Sequence, residues 1–414
     1  MESPKNVIDS GILPNLVADS VLIDQCSDPQ QLIYLSLGET WAPPAKGLLD
    51  ALQNVPDYSH GYTLSPYGLP TLRRELMTYI MRTHQLPPLV CYDVAVSQSG
   101  TRGAMSDFAL WINANNNGIQ KALVPSPGWD YEGVLRPSGF DVQQYAVTKE
   151  TNWQPDPEQI IPHLDRDTLI VINAQHNPTG VQWNEMILNT LLSSALERGT
   201  SIIIDDAYYA IHAPEQSPSN ALKILIDQVE HQNSKAKWLA VRTLGKQFRC
   251  NGWGIGAITA SRETLKAMSD IAHRRSYGSG LPLQAAMASW LSSHESDLYV
   301  EQLRKHYADN RDCVSQYLIK EQGYPEDAII AGNCTSYMRF RVPEGLVQND
   351  DEEFYRQLCL KAGVLPGRGS MTSPKAPTNQ SSKDIYVRIH LGHQSSVLYE
   401  ALRRMHQAGL EWTR

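Results

Sequence analysis

Lys246, Asp205 and Asn177 are the residues whose types and neighbours can do chemistry together. They stand in Thr243-Leu-Gly-Lys-Gln-Phe-Arg-Cys-Asn-Gly-Trp-Gly-Ile-Gly256, Ile202-Ile-Ile-Asp-Asp-Ala-Tyr-Tyr209 and Asn173-Ala-Gln-His-Asn-Pro-Thr-Gly180. A lysine amine that can be freed and reused serves as a Schiff-base partner for carbonyl groups and as a general acid/base. Lys246 suits that task because it follows a predicted strand, with a glycine before it and the Thr243 hydroxyl three residues back. A ring cofactor used as an electron sink needs its ring nitrogen protonated, which calls for a buried carboxylate beside it. Asp205 supplies one at the end of an Ile-Ile-Ile run, whereas Asp206 should face the other way, since strand side chains alternate. Asn177 and Tyr208 can hydrogen-bond a phenolic oxygen on the same ring, core packing being the plain alternative for Tyr208. The cofactor that answers all three requirements is pyridoxal 5'-phosphate (PLP).

Short apolar runs must position these residues. Asp93–Gln98, Ala122–Pro125, Leu169–Asn173, Ile202–Asp205 and Trp238–Arg242 read as buried strands, and Thr71–Arg82 and Trp183–Glu197 have helical spacing. The alternation predicts a three-layer α/β domain with a mostly parallel sheet covered on both faces. Ligands of such sheets gather beyond the carboxyl ends of the strands, where all three residues fall. Beyond about residue 290, helical segments (His294–Glu321, Glu352–Ala362, Ser395–Ala408) surround the short strands Ser336–Arg341 and Ile385–Ile389, which predicts a smaller α+β domain. The expected division is an N-terminal arm at 1–45 belonging to the small domain, a large domain at 46–290 and the small domain at 291–414. Ser370–Lys383, rich in Ser, Thr, Pro and Lys, reads as a surface loop.

The bulk numbers exclude several classes. With 414 residues, 42% hydrophobic and 19% charged, the chain is an ordinary globular protein large enough for two cores. A net charge of −8 argues against a nucleic-acid partner. The N-terminus lacks the pattern of a secretory signal, and no apolar run is long enough to span a bilayer. Six scattered cysteines form no C-x-x-C or Cys/His cluster, so neither a metal nor a disulfide framework is expected, and the reading is cytoplasmic. Cys250, near Lys246, reads as a buried thiol in preference to a nucleophile.

These motifs resemble the fold-type I PLP enzymes, within them the class I/II aminotransferases. Asn177-Pro-Thr-Gly180 matches that family's hallmark and Asp205-x-x-Tyr208 its ring-binding pair, and the likeness runs from Gly38 to Arg388. The resemblance implies transfer of an amino group between an α-amino acid and an α-keto acid through a Lys246 Schiff base, in a homodimer. It implies that Gly100, Thr101 and Arg102 cradle the cofactor phosphate at a helix N-terminus, with Thr243 also at the cofactor. It implies that Trp129 stacks on the ring and that Tyr62, or Tyr67 in its place, reaches the phosphate of the neighbouring subunit. Arg388 resembles the arginine that binds the substrate α-carboxylate, an ion-paired strand arginine being the alternative, and Gly38 the position whose backbone approaches the substrate.

One position departs from the pattern: Gly254 stands where the family places an arginine that clamps the phosphate. A charge-assisted hydrogen bond contributes about 1.5–3 kcal/mol, so another cation is expected to compensate, with Arg102 the first candidate and Arg249 and Arg242 the alternatives. A vacated space that admits part of a large substrate is the other reading. The departure, with the Gln175-His176 pair, keeps a specialised biosynthetic enzyme of the same fold in view, one that performs elimination, γ-replacement or cyclisation, for example on an adenosylmethionine-type substrate. A ligand-sensing module of the same fold would carry an N-terminal DNA-binding domain with a basic face, and the sequence shows neither. His176 reads either as part of the carboxylate side of the pocket or as a core histidine; Trp41, Arg274, Arg275, Tyr277 and Arg368 read as surface or interface residues.

Overall fold

A computed structural model describes residues 22–36, 43–62, 64–88, 91–97, 99–115, 120–275, 280–346, 351–368 and 385–412. Gly38, Trp41, Tyr277 and the Ser370–Lys383 loop lie outside the described residues.

Strand β1 (Ile33–Leu35) belongs to the smaller of two sheets; β2 (Asp93–Ser97), β3 (Gln120–Ser126), β4 (Phe140–Ala146), β5 (Thr168–Ile172), β6 (Ser201–Asp205), β7 (Trp238–Thr243) and β8 (Gly256–Ala260) form the larger. The larger sheet has the order β2-β8-β7-β6-β5-β3-β4. β4, β3, β5, β6 and β7 run parallel, while β8 is antiparallel to both β2 and β7, so the sheet is mixed. Every residue of β5 and β6 is buried, as continuous β-branched runs require when both faces of a sheet are covered.

Helices that cover the sheet follow local rules. In Glu185–Glu197, the Asn184 side chain accepts the Met186 N–H as an N-cap. The buried Leu188, Leu191, Leu192, Ala195 and Leu196 fall at helical spacing on one face. Ala221–Gln232 repeats the design, with Asn220 accepting from the Lys223 N–H and Ala221, Leu222, Leu225, Ile226 and Val229 turned inward. The two helices pack on each other.

The smaller sheet has the order β1-β11-β12-β10-β9, built from β1 with β9 (Ile329–Ile330), β10 (Tyr337–Arg341), β11 (Val364–Arg368) and β12 (Tyr386–His390). β1 pairs parallel with β11, and the remaining pairs are antiparallel. The helices Glu295–Lys320, Asp351–Ala362 and Ser395–Gln407 accompany it. β1 thus brings the N-terminal segment back to the C-terminal part of the chain. One apolar core gathers residues between Ala45 and Leu291 around the larger sheet. A second joins Ile33 and Leu35 to residues between Leu303 and Leu410, with Tyr208 and Ile211 from the first unit packed into it.

Candidate active site

The carboxyl ends of β5, β6 and β7 place the three motifs side by side, and one side chain joins two of them. Asn173, directly after β5, donates through Nδ2 to the Asp205 carbonyl at 2.8 Å and accepts the Asn177 N–H on Oδ1 at 2.9 Å. The loop it begins is closed by the Gly180 N–H donating to the His176 carbonyl at 2.8 Å. Asp205 is buried; the Tyr131 hydroxyl donates to its Oδ2 at 2.7 Å and the Ala207 N–H to its Oδ1 at 3.2 Å. Burial raises the proton affinity of Asp205, and the Tyr131 and Ala207 hydrogen bonds and the nearby Lys246 ammonium pull it back. Asp206 occupies the other face, 3.8 Å from His84 Nε2, and neither carboxylate oxygen has a hydrogen-bond partner.

Lys246 sits in the first turn of the short helix Gly245–Phe248, whose Gly245 N–H donates to Thr243 Oγ1 at 3.1 Å. Its Nζ lies 5.7 Å from the centroid of the Tyr208 ring, which packs edge-on against Tyr337. Trp129 meets Tyr131 edge-to-face at 5.3 Å. Cys250 is buried and its thiol is pushed up to about 12, the state of an unreactive core thiol.

Gly100, at φ +70°, begins the helix Gly100–Ala114, so the first backbone N–H groups of that helix have no partner within it. Gly254 lies across from this turn: a Cβ built on Gly254, itself at φ +62°, would stand 4.0 Å from the Gly100 nitrogen. The three candidate substitutes for an arginine at Gly254 are placed differently. Arg242 is buried, donating to Thr83 Oγ1 at 2.7 Å and to Gln247 Oε1 at 3.2 Å, which commits it to the Asp206 side. Arg249 donates to the Gly392 carbonyl at 3.2 Å, toward the smaller sheet. Arg102 stays on the Gly100 turn, half exposed, paired with Asp130 at 3.1 Å and stacked 4.4 Å from the Trp129 ring centroid.

Arg388 reaches this floor from β12. It is buried, donates through Nη1 to Asn177 Oδ1 at 2.9 Å and through Nη2 to the Ser36 carbonyl at 3.3 Å, and lies 3.6 Å over the Tyr337 ring. A Cβ on Gly367 of the neighbouring strand would meet Arg388 Nε and Nη2 at 3.2 Å, so glycine there makes room for the guanidinium. Tyr62 projects outward, 87% exposed, whereas Tyr67 lies under the Arg73 guanidinium at 4.7 Å. His176 is buried, with Nδ1 2.7 Å from Thr179 Oγ1 and its ring stacked on Trp183; burial lowers its pKa to about 3, so it is neutral. Arg274 ends exposed on the helix Arg262–Arg275.

The structure therefore brings Asn177, Asp205, Lys246, Tyr208, Thr243 and Arg388 to one place, with Gly100, Thr101, Arg102 and Trp129 beside it. Asn173 and Tyr131 were given no role from sequence, although both lie inside or next to motifs. An asparagine four residues before Asn177 and a tyrosine two residues after Trp129 are the signals that would have found them. The residues suit PLP on their own geometry: a buried carboxylate lies near a lysine, and a helix N-terminus without a side-chain cap lies next to a side-chain-free Gly254.

A mixed α/β sheet with a lysine, a carboxylate and an asparagine at its strand ends, joined to a smaller α+β unit, defines a fold-type I PLP-dependent enzyme. The sequence model of the family "Aminotransferase class I and II" matches residues 50–405, and the chain belongs to that family. An aspartate aminotransferase from Pyrococcus horikoshii is 22% identical over 390 residues, covering 94% of this chain and 93% of that protein. LL-diaminopimelate aminotransferase 2 from Nostoc sp. is 22% identical over 387 residues, covering 92% of each. Among solved structures, substrate-bound BacF from Bacillus subtilis superposes with a TM-score of 0.81 at 20% identity over the whole of both chains. The Thermus thermophilus aspartate aminotransferase with maleate superposes with a TM-score of 0.77 at 20% identity, covering 99% and 97%. The protein is accordingly a PLP-dependent transferase that moves an amino group between an amino acid and a keto acid. No helix among the described residues is long and apolar enough to cross a membrane.

Proposed function

We propose that this chain binds its amino-acid substrate by the α-carboxylate at Arg388 and Asn177 and moves the substrate proton with Lys246. The observation that carries the reading is the state of Arg388: a buried guanidinium, aimed at Asn177, with no carboxylate partner among the described residues. A buried charge left without a counter-ion costs several kcal/mol, which an arriving carboxylate offsets. PLP, when bound, supplies the electron sink. Asp205 holds the proton on the ring nitrogen, Tyr208 and Asn177 donate toward the phenolic oxygen, and Trp129 covers one face. The N–H groups of Gly100, Thr101 and Arg102, with the Thr243 hydroxyl, face the phosphate. Arg102 is the one of the three candidate cations that stays on this turn, and it is our choice to offset Gly254.

Tyr62, which projects outward at 87% exposure, supports a homodimer in which it reaches the neighbour's phosphate. The division into an arm at 1–45, a large domain at 46–290 and a small domain at 291–414 agrees with where the two apolar cores gather. A cytoplasmic enzyme without nucleic-acid partners fits the acidic, cysteine-scattered sequence.

Two measurements test the assignment. Lys246→Ala should abolish the near-visible absorbance of the bound cofactor and all turnover. Incubating the PLP form with single amino acids, followed by mass spectrometry, should yield pyridoxamine phosphate and the matching keto acid. An elimination or cyclised product instead would replace transamination by the specialised chemistry that Gly254 raises.

A further inference from the structure

A second buried guanidinium stands beside Arg388. Arg339 on β10 and Arg388 on β12 are direct cross-strand partners, so their side chains leave the same face of the smaller sheet, with Cβ atoms about 5 Å apart. Arg339 is 3% exposed, and its Nε and Nη1 have no hydrogen-bond partner. Neither arginine forms an ion pair among the described residues, and Arg388 Nε is also without a partner. Three buried guanidinium nitrogens on one wall thus lack an acceptor.

Arg339 is flanked by aromatic rings. Its guanidinium lies 4.4 Å from the Tyr386 ring centroid and 5.1 Å from that of Trp153, whose ring meets Tyr386 edge-on at 5.6 Å. Aromatic rings held over a guanidinium leave the N–H groups at its edge as the directions open to a ligand, and that edge matches a carboxylate in bidentate fashion. Trp153 reaches this position at a backbone cost. It has φ +59° and follows Asn152 at φ +53°, a conformation a bulky residue rarely adopts. The turn is held by the Trp153 N–H donating to the Thr148 carbonyl at 2.7 Å and by reciprocal Thr148 and Thr151 contacts. Burial, together with the neighbouring Arg388, lowers the pKa of Arg339 to about 9, as for a cation that lacks its counter-ion.

We infer that Arg339, with Trp153 and Tyr386, is a specificity-determining subsite for a second carboxylate on the substrate, next to the α-carboxylate position at Arg388. The inference rests on the proposed role of Arg388. It assigns the enzyme to substrates bearing two carboxylates and distinguishes them from otherwise similar monocarboxylates.

Holoenzyme and two unreactive acids that differ only by the distal carboxylate test it. Calorimetry on the wild type should show glutarate binding at least about 10-fold more tightly than butyrate, the gain of one charge-assisted pair. Arg339→Gln should remove that preference and raise KM for glutamate or 2-oxoglutarate about 10- to 100-fold, with a smaller change for alanine or pyruvate. Arg339→Lys should restore part of it. Equal glutarate and butyrate affinity in the wild type overturns the inference, and so does an Arg339→Gln loss shared equally by both substrate classes. If no amino acid is converted at all, the proposed function fails, while the glutarate and butyrate comparison still reads Arg339.

Discussion

The floor at the ends of β5–β7 and the wall formed by β10 and β12 are both buried and polar, yet their hydrogen-bond accounts differ. On the floor, Asn173 serves Asp205 and Asn177 at once, and Tyr131 serves Asp205. On the wall, Arg388 and Arg339 retain unpartnered nitrogens at full burial. A satisfied network is rigid before anything binds, whereas an unsatisfied one gains most when a ligand arrives. This difference fits the proposed roles, in which the floor holds a resident group and the wall receives a transient one.

The largest effect should separate wall from floor. Arg388→Gln removes the fork proposed to face the substrate carboxylate, and two charge-assisted hydrogen bonds correspond to a fall of about 10²–10³-fold or more in kcat/KM. Cofactor titration by absorbance should give a far smaller change in the dissociation constant, because Arg388 meets the floor through Asn177 Oδ1 and not through Asp205 or Lys246. A cofactor affinity that drops by the same factor would merge the two regions and defeat the comparison.

Asn173→Ala attacks the floor instead. It leaves the Asp205 carbonyl and the Asn177 N–H without partners, at about 1–3 kcal/mol for each group that stays dry. Urea denaturation should show a loss of about 2–4 kcal/mol, and cofactor binding should weaken with it. A stable variant with normal cofactor affinity and impaired substrate binding would mean that Asn173 belongs functionally to the wall.

Asp205 on the floor and Asp206 on the opposite face of the same strand end form a smaller contrast. Burial raises Asp206 to about 7, with Arg242 opposing and Asp205 adding to the rise. Between about pH 4 and 7 the folded chain keeps a proton that the unfolded chain has released, so this group makes stability fall as pH rises through that window. His84 and His176, held neutral by burial, act in the opposite sense, since the unfolded chain takes up their protons below about 6.5. Asp206→Asn should therefore stabilise the protein increasingly from pH 4 to 7, by on the order of 1–2 kcal/mol, in melting curves taken across the range. A wild-type-minus-variant difference that is flat with pH would mean that Asp206 does not titrate there.

The floor was legible in the sequence and much of the wall was not, for a physical reason. Asn177, Asp205 and Lys246 each sit in a short motif at the end of a β-branched run, so local pattern alone places them at strand ends. Arg339 is buried by a pairing with a strand nearly fifty residues away and by Trp153 from a distant turn, and no local pattern reports either. Strand ends were close: β2, β5, β6 and β7 lie within a residue of their expected limits, and β3 extends two residues earlier. Two strands of the larger sheet were missed. β4 is an edge strand whose Asp141, Gln143 and Gln144 face solvent, and β8 is Gly-Ala-Ile-Thr-Ala, poor in branched residues. The sheet is mostly parallel as expected, with β8 the strand that runs against its neighbours β2 and β7.

The smallest effect probes how finely the floor is tuned. Tyr131 donates to Asp205 Oδ2 at 2.7 Å and favours the charged carboxylate against the burial that opposes it. Tyr131→Phe keeps the ring against Trp129 and deletes only the hydroxyl. Asp205 should then bind its own proton more tightly and hold the cofactor's ring-nitrogen proton less firmly. One hydrogen bond of about 1 kcal/mol corresponds to a shift just under one pH unit in the titration of the bound cofactor's absorbance, with kcat lower by several-fold. KM should stay near wild type if the substrate carboxylate meets the wall, as proposed, and not Tyr131. A raised KM with an unshifted absorbance titration would show that Tyr131 acts through packing toward the substrate, and the division between a resident floor and a receiving wall would have to be redrawn through Trp129.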